Sequence, residues 1–174
     1  MTASAQNHDP VGNAWQIHSA LMSWTSNVDN KSSFALGLET GLLAGAVALR
    51  GSEDFLQTFK NNWSLVLWAA AIVLLGFAVL LTTMVVAPRL NRRSIERDST
   101  KDYIFFGHLT KKYPEGRTTE LVQALETEPV LEVIARQLQI MGKFAWYKHR
   151  LLQLAMLVGT AGSLCLGLSL VVNG

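Results

Sequence analysis

Four histidines, one cysteine and one carboxylate set inside an apolar run are the residues of this chain whose types could carry chemistry. His8, His18, His108 and His149 lack the spacing of metal ligands. There is no Gly-rich phosphate loop, nucleophile elbow or paired-carboxylate arrangement. The sequence therefore assigns no catalytic residue, no metal and no cofactor, and the chain reads as a non-enzyme. His108, in "FFGHL", reads as a packing residue. The single Cys165 excludes an intrachain disulfide and, lying in an apolar run, reads as a small packing side chain. Glu39 is different. It interrupts "FALGLETGLLAGAVAL", and a carboxylate in hydrocarbon costs several kcal/mol unless paired, protonated or wetted. Either it is protonated and hydrogen-bonded to Thr82 or Thr83, or it lines a polar interior. No companion acid or base lies in any apolar run, so a proton or substrate relay has no support.

The elements that must position these residues are membrane spans. At 174 residues the chain has room for one ordinary domain, and its charged residues (16%) crowd between Arg89 and Arg150. Trp63–Ala87 has no ionisable side chain and is long enough to cross a hydrocarbon core of roughly 30 Å. Trp63 and Trp68 stand towards its first end, where amphipathic rings favour the headgroup level. A second clear span covers Leu151–Val172, preceded by the basic and aromatic collar "KFAWYKHR". Residues 32–50 are the weakest span because of Glu39. The resulting organisation is an N-terminal region 1–31, a first span 32–50, a loop 51–62, a second span 63–87, a helical region 88–150 and a third span 151–172. The N-terminus shows no cleavable signal peptide.

Region 88–150 holds twelve Lys and Arg residues, against Arg50 and Lys60 around the first loop. The positive-inside bias then places the N-terminus and 88–150 in the cytoplasm. Before the first span, Ala14, Ile17, Leu21, Trp24 and Val28 follow steps of three and four, which predicts an amphipathic helix leading into the membrane. Three further helices are expected: 99–112, ended by the turn signal "YPEG"; "RTTELVQALET"; and one opening at Pro129 that continues unbroken into the last span. Nothing alternates with period two, so the fold class is all-α. Arg136, Lys143 and Arg150 share one face of that last helix. This is either a solvated face with a lipid-headgroup anchor or an anion-binding face suited to phosphate. A net charge of +2 is too weak to argue for a nucleic-acid polymer as partner.

Within the spans, Ser33, Gly37, Gly41 and Gly45 form one small-xxx-small row, and Ala155, Gly159, Ser163 and Gly167 form another. Lipid supplies no hydrophobic force between helices, so such rows mark close backbone approach. They serve either packing within a three-helix subunit or assembly between subunits. Glu39 lies about 200° round the helix from Gly37, on the line of Ser32, Leu43 and Ala46.

The order of four motifs, "DNKSS", "APRL", "YIFFGHL" and "QLQIMGKFAWYKHRLLQLAM", resembles the Pycsar effector (PycTM) family. These are membrane-spanning effectors of bacterial antiphage systems built around a pyrimidine cyclase. The resemblance runs from about Trp24 to Val158, and Asn30 and Ser33 depart mildly from the first motif, where small residues are common. It implies an inner-membrane protein that senses cyclic UMP or cyclic CMP from an adjacent cyclase and impairs the membrane, giving abortive infection. The residues matching the family pattern are Asp29, Lys31, Ser32, Pro88, Arg89, Phe106, Gly107 and Lys148. Arg89, Lys143 and Lys148, basic groups flanking two spans, are the candidate phosphate ligands. Gly37, Gly41, Gly45, Gly159 and Ser163 are the candidates for helix association in a homo-oligomer. The alternative is a membrane-anchored scaffold or adaptor that binds a protein partner through its cytoplasmic helices.

Overall fold

Asp9 and Pro10 start the first helix by local chemistry. The Asp9 carboxylate accepts the Gly12 amide at 3.0 Å and its carbonyl accepts the Asn13 amide, while Pro10 occupies the first turn, where no amide donor is needed. The structure, a computed structural model, describes residues 9–50, 62–87, 109, 112–127 and 129–173. These form α1 (Pro10–Arg50), α2 (Asn62–Val86), α3 (Thr118–Thr127) and α4 (Val130–Asn173), with no strand among the described residues. At 1.5 Å per residue, α1 and α4 are each about 60–65 Å long and α2 is about 37 Å. Three of the four, α1, α2 and α4, are long and apolar enough to cross a membrane. The expected 99–112 helix lies almost wholly outside the described residues.

The expected continuity of the last helix is observed: Pro129 offers its carbonyl to the Glu132 and Val133 amides, and α4 then runs to Asn173 without interruption. The first helix is continuous as well, with no break between the N-terminal stretch and the first span. Its expected apolar stripe is only partly the inward one. Ala14 is buried, whereas Ile17 and Trp24 are exposed. The "YPEG" signal forms a turn in which Gly116 takes φ +93°, a conformation that a side chain would strain, and the Arg117 amide returns to the Pro114 carbonyl.

The chain divides into two compact units, one comprising 1–25 with 89–146 and the other 26–88 with 147–174. In the first unit, Val133 and Ile134 are fully enclosed, and exposed pairs Arg136–Glu132 (2.8 Å) and Arg117–Glu120 (3.5 Å) decorate helix surfaces. Arg136 thus has a local partner one helical turn away.

The second unit is a three-helix bundle. Its buried positions are Ser32, Glu39 and Ala46 on α1, every seventh residue. On α2 they are Ser64, Trp68, Ala71, Leu75, Ala78, Thr82 and Val85, in alternating steps of four and three, with Leu81 buried beside Thr82. On α4 they include Leu152, Ala155, Gly159, Gly162 and Ser169. A repeat of seven keeps one seam facing its neighbours when helices coil left-handedly, the common geometry of membrane bundles. Most seam residues are small, so backbones approach closely. The outward faces carry large apolar side chains such as Phe34, Val73 and Leu157, each at least 70% exposed, as suits contact with acyl chains.

Candidate functional site

The bundle's polar contacts fall at separate levels along its axis. At one end Lys148 Nζ donates to Asp29 Oδ1 at 2.6 Å, joining α1 to α4 across 119 residues of sequence. Both side chains are half-buried. Deeper in, Thr82 Oγ1 donates to Glu39 Oε2 at 2.8 Å, joining α2 to α1. Further along α1, Trp68 Nε1 donates to the Ala46 carbonyl at 3.2 Å. Ascending α1 from Glu39 to Ala46 means descending α2 from Thr82 to Trp68, so these helices are antiparallel. Ascending α1 from Asp29 to Glu39 means ascending α4 from Lys148 to Gly159, so those are parallel.

Of the two readings of Glu39, hydrogen bonding to Thr82 is the arrangement present. The carboxyl is buried on the line of Ser32 and Ala46, as the helical geometry required. Thr83 is not its partner. It is exposed and donates back to the Val79 carbonyl. Gly159 of α4 supplies the room: a Cβ built there would stand 3.0 Å from Glu39 Oε1 and 3.5 Å from Ala78 Cβ. The second small row is therefore split. Ala155 and Gly159 pack within the subunit, whereas a Cβ on Gly167 would meet no described atom within 4 Å. Ser163, partly buried, donates to the Gly159 carbonyl of its own helix. The first row faces outward altogether: Gly37, Gly41 and Gly45 are exposed and meet nothing described within 4 Å.

Trp68 differs from its expected place at the headgroup level. It is buried in the bundle, while Trp63 is exposed as an interfacial ring should be. Of the candidate phosphate ligands, Lys148 is engaged by Asp29, Lys143 is exposed on α4, and Arg89 lies outside the described residues, as do Pro88, Phe106 and Gly107. Lys31 is exposed and Ser32 donates to the Val28 carbonyl within α1. Arg150 borders an open cavity of about 380 Å³ on α4, lined also by Tyr147, Gln153, Leu151, Leu154 and Leu157. Among the described residues no group of three His, Cys, Asp or Glu side chains could hold a metal ion.

Compared with known families, residues 13–173 match PycTM, the Pycsar effector protein domain. The chain belongs to the Pycsar effector family. The match takes in all three apolar helices, so this is a transmembrane effector of the Pycsar antiphage type. No curated protein and no solved structure matches the chain. Two residues of the effector's first and last motifs, Asp29 and Lys148, are the ones that the fold brings into an ion pair. Sequence reasoning named both without pairing them. The available signal was their opposite charge at the same end of two spans that an intervening antiparallel span makes parallel.

Proposed function

We propose that this effector senses a cyclic pyrimidine mononucleotide, cyclic UMP or cyclic CMP, made by an adjacent cyclase. On binding it impairs the bacterial inner membrane and causes abortive infection. The observation that carries the reading is the family match across 13–173, which includes every candidate span. The phosphate is held by basic groups flanking the spans, Arg89, Lys143 and Lys148, with the N-terminus and 88–150 in the cytoplasm. Charge-assisted bonds to phosphate contribute about 1.5–3 kcal/mol each, so losing one weakens binding roughly 10- to 100-fold. Because Lys148 is already bonded to Asp29, the ligand competes with that carboxylate. The active form is a homo-oligomer, and the open glycine face of α1 supports close approach between copies.

The test is calorimetric titration of purified protein with cyclic UMP and with cyclic CMP. The expected result is saturable binding of one of them, lost when Arg89, Lys143 and Lys148 are all replaced by Ala. Binding that survives the triple replacement unchanged moves the site elsewhere, and no binding of either nucleotide removes the signalling reading.

A further inference from the structure

We propose that Glu39, Thr82 and Gly159 form a polar clasp that holds α1, α2 and α4 in their quiescent packing, and that the clasp opens when the effector acts on the membrane. The inference rests on the effector reading above and adds to it the internal contact that separates the silent from the active bundle.

The first observation is where the Thr82 hydroxyl goes. The hydroxyls of Ser32, Thr40, Thr83, Thr160, Ser163 and Ser169 all donate back to a carbonyl of their own helix. That local bond is the default for Ser and Thr in a membrane helix. Thr82 instead reaches across to Glu39. The second is the place reserved for the carboxyl on the third helix. A Cβ at 159 would stand 3.0 Å from Glu39 Oε1, so any larger residue there makes the carboxyl give way by a few tenths of an ångström. The third is burial: Glu39 is 6% exposed and Thr82 fully enclosed. One ionisable side chain is thus fitted to a donor on α2 and a gap on α4.

The physical consequence is a switch with two defined positions. In lipid the helices are held by van der Waals contact and interhelical hydrogen bonds, not by the hydrophobic effect. Closed, the carboxyl is sheltered and bonded. Open, it loses the Thr82 donor and must be met by water, because bare exposure to hydrocarbon costs several kcal/mol. Separation of the three helices and wetting of the bundle interior are then one event. A signal that favours the open packing thereby admits water along the bundle axis.

The test uses the full chain reconstituted in vesicles of phosphatidylethanolamine and phosphatidylglycerol, with trapped dye. Thr82→Val keeps the side-chain volume and removes the donor, and Gly159→Val fills the gap. Both raise dye release in the absence of nucleotide, Thr82→Val by about 3- to 20-fold, the range of a membrane interhelical hydrogen bond. Thr82→Ser restores the donor and stays at the parent's level. Circular dichroism and flotation report folding and insertion; should Gly159→Val fail these, the Val and Ser variants at 82 decide. Thr82→Val as quiet as the parent overturns the clasp, and so does Thr82→Ser leaking as fast as Thr82→Val. A parent that ignores both nucleotides, beside a leaking Thr82→Val, removes the signalling reading and leaves the clasp standing.

Discussion

Asp29 and Lys148 show how much a single pair can and cannot do here. Their side chains are 41% and 26% exposed, so the bond is worth about 0.5–1 kcal/mol rather than the larger sum of a desolvated pair. A double-mutant cycle on thermal unfolding in detergent should return a coupling of that size between Asp29→Asn and Lys148→Gln. The reversed pair, Asp29→Lys with Lys148→Asp, should recover most of the stability. It should not recover nucleotide affinity if Lys148 holds phosphate, because the carboxylate now placed at 148 repels the ligand. Equal recovery of both properties would assign Lys148 a purely structural part.

The glycines of α1 and α4 look alike in sequence but face different surroundings. A Cβ on Gly162 would meet Leu75 Cγ at 3.0 Å and the Leu75 backbone nitrogen at 3.1 Å. Backbone cannot move aside as a side-chain tip can, so Gly162→Leu forces α2 and α4 apart and destabilises the bundle by about 1–3 kcal/mol or more. A Cβ on Gly41 meets nothing described within 4 Å, so Gly41→Leu leaves the subunit's melting unchanged. Its effect falls on association: cross-linking between copies and toxicity on signalling both decline. A Gly41→Leu variant that melts early would place this face inside the subunit. One that kills as the parent does would remove close packing of α1 from the mechanism.

At the level of the molecule, the proposed orientation, with 88–150 in the cytoplasm, rests on charge. Twelve of the chain's fifteen Lys and Arg residues lie in 88–150. Moving that segment across a bilayer is opposed by the same bias that orients most membrane proteins. Glu115 sits exposed in the turn before α3 and is a suitable reporter. In a Cys165→Ala background, Glu115→Cys should resist an impermeant maleimide in intact cells and react once the inner membrane is opened. Efficient labelling of intact cells would invert the topology.

The helical class, the three spans, the continuous run from Pro129 into the membrane and the family were all readable from sequence. Each depends on local composition or on motif order along the chain. Trp63–Ala87 is a span because its residues are apolar, whichever helix it meets. The side of α1 on which Glu39 lies was equally readable, since 3.6 residues per turn fixes it relative to Gly37. The partners were not. That Thr82 rather than Thr83 meets Glu39, that Trp68 turns inward to the Ala46 carbonyl, and that Lys148 finds Asp29 depend on the rotation and depth of one helix against another. Two small-residue rows with the same spacing met different fates for that reason, one open throughout and the other packed at Ala155 and Gly159 but open at Gly167. Helix formation is a contest between neighbours in sequence, whereas helix rotation in lipid is settled by which small residues and donors across the bundle fit together, and only the assembled bundle contains that information.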